Sequence, residues 1–297
     1  MGFRPNPVAR VAEAARRAGK LRIRGGSGLG DALYVRPIAE HYARAGALVQ
    51  VLSDWPDVFL GAGVEVAPFA KQNVDVVAHY APYKRVPGST QWEDVCRCAK
   101  LGAPLPLRID WTIRNTALVA RLKRQAGKRP LVLVHSGREP MGRRDRFGIE
   151  LLPQREAFEA ALAACGDCCL VQVGRAAQLY PLTPESNLNG NTTVADLIDV
   201  AWACDAWVAQ CSFAVPLAEA FGKPLLAIWS AAGLASKQRY ISTITPEKVL
   251  SAPSSHYVVD DWPIERIAAT ARAFREALNE PGSGDVKQTQ AGVGAAG

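Results

Sequence analysis

The chain reads as an α/β protein made of two parallel-sheet halves facing one another across a cleft. Three observations predict this. Short apolar runs alternate with amphipathic helical patterns twice over, before and after a polar Gly127-Lys128-Arg129-Pro130 break. That alternation is expected of parallel strands joined by crossover helices. The first apolar run leads into a glycine-rich turn, Arg24 to Asp31, that opens a helix. Further loops with basic or small polar residues fall at strand carboxyl ends, where sheets of this kind bind ligands.

The elements follow in order. Residues 6–19 form a short amphipathic helix ending at Gly19, and Leu21 to Arg24 is a strand. A helix runs from Ala32 to about Ala45 and is closed by Gly46; Ala47 to Leu52 is the next strand. After the turn Ser53-Asp54-Trp55-Pro56, short strands fall at Val64–Pro68 and Val74–His79. Residues 80–110 carry prolines at 82, 87, 104 and 106, and read as a loop over a cleft with a helix near Trp92–Lys100. Asn115–Gln125 is a basic amphipathic helix, and the Gly127–Pro130 break is the domain boundary.

The second series starts with the buried-type strand Leu131–His135. A long basic loop, Ser136 to Arg146, precedes the helix Pro153–Cys165, with Pro153 in its first turn. Cys169–Val173 is a strand ended by Gly174-Arg175. Thr193 caps the helix Val194–Ala203, with Asp196 three residues on. Strand Ala206–Ala209, helix Ser212–Phe221 ended by Gly222, and strand Pro224–Trp229 follow, then a loop through Gly233. His256–Val259 and the long helix Pro263–Leu278 close the fold, and the Gly-, Ser- and Ala-rich tail from Pro281 reads as disordered. The halves are therefore 1–127 and 128–262, with a final helix over 263–280 and a tail over 281–297.

Composition narrows the function. With 297 residues and 48% apolar content the chain can bury two ordinary cores. No run approaches the ~18 apolar residues of a membrane span. Met1 to Lys20 lacks the apolar region of a secretory signal, so a cytoplasmic location is expected. A net charge of +7 suits anionic partners: nucleotides, phosphorylated sugars, nucleic acid or an acidic membrane surface. No basic groove interleaved with aromatic residues singles out nucleic acid. Seven cysteines, an odd count, do not read as a disulfide framework. Cys165 and Cys168 lack a matching second ligand pair, so no metal site is expected.

Four loops can carry chemistry. In Gly25 to Asp31, bare amides at a helix N-terminus suit an anion, and Asp31 is either the helix cap or a general base. Arg138, Arg143, Arg144, Arg146 and Arg175 can fork onto diphosphate oxygens or merely keep a surface loop soluble. Ser212, at a strand-to-helix junction, can cap its helix or bind a phosphate or sugar hydroxyl. Cys211 has no histidine near it in sequence and is not a convincing nucleophile. His135 is the histidine best placed to line the cleft, with a core or supporting role as the alternative. His41, His79 and His256 have no evident partners.

Three ordered stretches resemble the ADP-heptose:lipopolysaccharide heptosyltransferases and their relatives, glycosyltransferases of the GT-B fold. They are Gly28-Leu29-Gly30-Asp31-Ala32-Leu33 with Pro37 beyond; Leu188-Asn189-Gly190-Asn191-Thr192-Thr193 with its helix to Cys204-Asp205; and Val208-Ala209-Gln210-Cys211-Ser212 through Leu217 to Pro224. The resemblance covers about residues 20–230. It implies two Rossmann-like domains, with the C-terminal helix bracing the N-terminal one. It also implies inverting, metal-independent transfer of a sugar, a heptose in the family's own case, from a nucleotide-diphosphate donor, with no other cofactor. Asp31 would be the catalytic base, and Gly28 and Gly30 would lie on the acceptor side. Ser136, Gly137, Arg138, Arg143, Gly174, Arg175, Thr192, Cys211 and Ser212 would hold the donor. The acceptor would be a glycan or glycolipid, as in lipopolysaccharide biosynthesis, met by peripheral contact with a membrane. Cys211, Phe213 and Pro216 replace the family's Asp, Gly and His in the donor pocket. A chain that binds a nucleotide or other anion without transferring sugar is therefore the alternative, and transfer to nucleic acid is a third.

Overall fold

The computed structural model describes residues 19–71, 74–80, 89–136, 153–174, 186–238, 245–250 and 255–278. The helix expected over 6–19 (its last glycine apart), the basic loop from Gly137 and the tail from 281 lie outside the described residues. Two wholly parallel sheets form. The first takes β1 (Leu21–Arg24), β2 (Val49–Leu52), β3 (Glu65–Ala67) and β4 (Val76–Val77) in the order β3-β2-β1-β4. The second takes β5 (Leu131–His135), β6 (Cys169–Gln172), β7 (Ser186–Asn187), β8 (Ala206–Gln210), β9 (Leu225–Trp229) and β10 (Ser255–Val259) in the order β10-β9-β8-β5-β6-β7.

Alternation explains the layers of the second sheet. Leu131, Leu133, Trp207, Ala209, Leu225 and Ala227 face one core, while Val132, Ala206, Val208, Leu226 and Ile228 face another. Both faces are thus covered, as parallel sheets require. On the first side lie α5 (Val194–Ala203) and α6 (Ala214–Phe221), whose packing continues into the first sheet and α1 (Leu29–Arg44) as one core. On the other side lie α4 (Arg155–Ala164) and α9 (Ile264–Ala277), with Phe158, Ala161, Ile267, Ala271 and Phe274 buried together. The sequence reading sent the last helix back to brace the first domain. Over Ile264–Ala277 its buried face instead packs on α4 and β10, because the Ile267-Ala271-Phe274 stripe fits the apolar side of α4.

Local signals place the remaining helices. Thr193 caps α5: the Asp196 amide donates to its hydroxyl at 3.0 Å and its own amide donates back to the Asp196 carboxylate at 3.1 Å. The same reciprocal cap, Thr90 with Glu93, starts α2 (Gln91–Cys98). Gly222 ends α6 with φ +62°, a left-handed turn that favours glycine. Residues 231–238 form a helix, α7 (Ala231–Gln238), where a loop through Gly233 was expected. The Ser230 hydroxyl accepts from the Gly233 amide at 3.1 Å and its carbonyl accepts from Leu234 at 2.8 Å, which holds the first turn. A last short helix, α8 (Pro246–Val249), precedes β10.

The chain crosses between the sheets through residues 99–115, then enters α3 (Thr116–Ala126), which packs on α5 and against β5. That crossing is clamped from both sides. From α1, the buried Arg36 donates to the carbonyls of Val58 at 2.6 Å and Asp110 at 2.9 Å, and pairs with Glu40 at 2.9 Å. From α5, the fully buried Asp199 accepts from the Trp111 indole at 2.6 Å and the Asn115 amide at 2.6 Å, with Arg114 at 3.1 Å. Removing a buried acceptor strands its donors, each costing about 1–3 kcal/mol. Asp199→Ala should therefore lose at least about 3 kcal/mol in urea unfolding, and Asp199→Asn less. A loss below about 1 kcal/mol would show that the crossing does not depend on this carboxylate.

Candidate active site

The site forms where the carboxyl ends of the two sheets meet. After β1 the chain turns through Gly25 and Gly26 into α1, and both glycines are there for room. A Cβ on Gly25 would stand 2.7 Å from the Val35 side chain and 3.2 Å from the Ala78 carbonyl. On Gly26 it would collide with the Asp31 carboxylate. Gly28 is the N-cap of α1, and its amide donates to Asp31 Oδ2 at 3.2 Å.

The Asp31 carboxylate holds the start of α1. Oδ2 serves the helix start, while Oδ1 faces His79 Nε2 at 3.7 Å, with the two side chains 20% and 32% exposed. That separation is longer than a hydrogen bond and leaves Oδ1 open to another partner. His79 stacks on Tyr80 with ring centres 4.3 Å apart. One helical turn beyond Asp31, Tyr34 is buried against Trp92. Burial first, then the charges of Glu219, Cys211, Tyr80 and Asp31, push its phenol well above the usual value, so it stays protonated.

The second sheet contributes from β5, β6 and β8. Ser136 is fully buried and accepts from Gln172 Nε2 at 3.3 Å, so its hydroxyl joins the carboxyl ends of β5 and β6. Past β8, Ser212 Oγ lies 3.3 Å from His135 Nδ1 and 3.5 Å from the Ala214 amide. Ser212 thus serves both the start of α6 and the imidazole. The His135 ring lies 4.7 Å from that of Phe213. Burial pushes His135 down to about 4, which leaves the ring neutral near pH 7. Cys211 is half-buried beside it, and none of the seven cysteines forms a disulfide.

The two sides come together at Gly30, where a Cβ would lie 3.4 Å from the Phe213 backbone and 3.8 Å from Pro216 Cγ, ordinary van der Waals contact, so α1 and α6 approach here to within one methyl group. The structure therefore brings Gly28, Gly30 and Asp31 together with Cys211, Ser212 and His135. Gly174 adopts φ +145°, and its carbonyl accepts from the Gly190 amide at 2.8 Å, tying the 187–192 turn to the end of β6. Thr192 is half-buried in that turn, just before the α5 cap. Gly137, Arg138, Arg143 and Arg175 lie outside the described residues.

His79, Tyr34 and Tyr80 were missed from sequence. His79 stands just past β4, so the strand-end rule that selected the other loops would have selected it. Tyr34 is three residues after Asp31, the spacing that shares a helix face.

The fold is that of the GT-B glycosyltransferases, and two solved structures carry the comparison. The ADP-heptose lipopolysaccharide heptosyltransferase II of E. coli is 15% identical, over 88% of this chain and 100% of that one, with a TM-score of 0.55. The glycosyl transferase family 9 protein of Veillonella parvula is 11% identical, over 87% and 97%, with a TM-score of 0.54. At such identities the likeness is one of fold. No protein-family model matches the chain, and no curated protein matches it in sequence.

His135 makes the site sensitive to acid. Its folded value of about 4 lies below the unfolded 6.5, so the unfolded chain binds the proton first as pH falls. The stability it contributes is full above pH 6.5 and is lost as pH falls toward 4. Between pH 7 and pH 5 the loss is about 2 kcal/mol. In urea unfolding, His135→Gln should lack that part of the pH slope. Subtracting variant from parent removes the contributions of His41 and His256, which burial also lowers. Identical slopes would refute the assignment.

Proposed function

We propose that the chain is a glycosyltransferase that moves a sugar from a nucleotide-diphosphate donor to an acceptor hydroxyl. The observation that carries this reading is the placement of Asp31. Its carboxylate stands at the mouth of α1, on the seam between two facing parallel sheets, in a chain with the fold of heptosyltransferase II. Oδ1 takes the acceptor proton as the acceptor oxygen attacks the anomeric carbon. The bond from that carbon to the diphosphate oxygen breaks, and the nucleoside diphosphate leaves with the electron pair. A single displacement of this kind inverts the anomeric centre.

The second sheet holds the donor in this reading. The α6 amides and the Ser212 hydroxyl face the diphosphate, and Arg138, Arg143 and Arg175 are assigned to its charge on sequence grounds, without a metal ion. Neutral His135 can keep Ser212 oriented without adding charge. ADP-heptose is the first donor to test, because it names the substrate of the first structural neighbour. The acceptor is proposed as a glycan or glycolipid of the lipopolysaccharide type, reached from the cytoplasm. Among the described residues no helix is long and apolar enough to cross a membrane, which fits an approach from the membrane surface. Buried and half-buried thiols suit a reducing compartment.

A second reading is favoured by a specific observation. Phe213 and Pro216 pack against Gly30 and His135 where the family carries a glycine and a histidine. A chain so altered can bind a nucleotide without turning it over. Asp31→Asn decides between the two. A general base supplies about 10²–10⁴ in rate, so transfer should fall by that factor while nucleotide affinity in calorimetry stays nearly constant. Transfer that survives the substitution removes Asp31 as base. Nucleotide binding by the parent with no transfer from any of a wide donor set establishes the second reading.

A further inference from the structure

A groove of about 630 Å³ lies along α3, away from the Asp31 cleft, beside the turn that follows β7. Helix α5 separates it from α6: α3 packs on α5, and α5 on α6. Its volume is within the range of small-molecule sites, about 300–1,000 Å³.

The lining is unevenly charged. Arg121 and Arg124 sit one turn apart on α3 and both line the groove, exposed to solvent. Among the described residues neither makes an ion pair or hydrogen bond. The one carboxylate of the lining, Asp196, is already committed. It accepts from Asn115 Nδ2 at 2.8 Å and from the Thr193 amide and hydroxyl at 3.1 and 2.9 Å. Burial opposes its charge, but those hydrogen bonds outweigh burial and hold the carboxyl below its usual range. Two guanidinium groups therefore face the groove with no anion to answer them.

The rest of the lining suits a sugar ring. Leu118 and Leu188 offer an apolar patch for the C–H face of a pyranose. Asn187 Oδ1 accepts from the Asn189 amide at 3.0 Å, which leaves its Nδ2 as a donor. Asn191 Nδ2 donates to the Asn189 carbonyl at 3.1 Å, which leaves its Oδ1 as an acceptor. A donor and an acceptor at the rim match hydroxyls, which need both.

We infer that this groove binds an anionic saccharide, a sugar phosphate or sugar carboxylate. Arg121 and Arg124 take the anion bidentately, and Asn187 and Asn191 take ring hydroxyls. The inference does not rest on the glycosyl-transfer reading, since none of these residues belongs to the Asp31 cleft.

Calorimetric titration of the full chain tests it, with glucose 6-phosphate, glucuronate, glucose and inorganic phosphate as probes. Glucose 6-phosphate and glucuronate should bind saturably, and glucose and inorganic phosphate at least about tenfold more weakly. The double variant Arg121→Gln/Arg124→Gln should weaken both anionic sugars at least about tenfold. Its thermal midpoint should stay within about 2 °C of the parent, because neither arginine is paired. Asp31→Asn should bind all probes as the parent does, which keeps this outcome separate from that of the cleft. No saturable binding of either anionic sugar, an unchanged Kd in the folded double variant, or inorganic phosphate as tight as the sugar phosphate would each overturn the assignment.

Discussion

The cleft depends on one buried polar clamp, the hold of Arg36 and Asp199 on the chain that crosses between the sheets. Arg36 reaches the Asp110 carbonyl from α1, and Asp199 gathers Trp111, Arg114 and Asn115 from α5. Each is a charge taken out of water, a state that is costly unless every bonding group is answered. Here they are answered by the Trp111 indole and backbone groups of the same short segment and by the Val58 carbonyl, and Arg36 also has Glu40 beside it. The Trp111 ring lies between the Arg36 and Arg114 guanidinium groups, at 5.4 and 5.8 Å. Apolar packing alone is non-directional and would tolerate sliding. Directional bonds from both helices to one segment set where α1 stands relative to α5 and α6.

That placement explains the local chemistry at the seam. Two helix starts, those of α1 and α6, are brought edge to edge, with position 30 of α1 within van der Waals reach of Phe213 and Pro216. A second tie acts nearby, where Asp57 of the first half accepts from the Ala195 amide in the first turn of α5 at 3.2 Å. The groups left in the cleft then divide by burial. Asp31 is a fifth exposed, while His135 and Tyr34 are buried enough to remain neutral. An accessible carboxylate beside these neutral groups is what the proposed proton-accepting step would use.

Much of this was legible in the sequence because it is encoded locally. Strand β5 could be read to the residue, since five consecutive buried positions leave no other pattern. The α5 cap was legible because Thr193 and Asp196 have the required spacing. Helix α7 was not, because Gly233 and Ser236 resemble loop residues and Ser230 braces the first turn through its own hydrogen bonds. The path of α9 was hidden for another reason. An amphipathic stripe declares that a helix will pack, but not on which layer. The Asp31–His79 pairing joins residues 48 positions apart, and Asp199 meets Trp111 across 88. Such pairs exist only after the sheets have been assembled. A buried aspartate within the apolar run of α5 was nevertheless a visible anomaly, because an unpartnered charge cannot remain there.

Cys211, Phe213 and Pro216, which stand where the family that the sequence resembles carries Asp, Gly and His, acquire a physical meaning in this setting. They exchange a carboxylate and an imidazole for groups that carry no charge at neutral pH, and a glycine for a phenyl ring. Phe213 spends its ring on His135, and Pro216 stands against Gly30. His135 and Ser212 are still present, the ring buried and the half-buried hydroxyl 3.3 Å from its Nδ1. The α6 side of the cleft therefore carries fewer ionisable groups than one built with Asp and His at those positions.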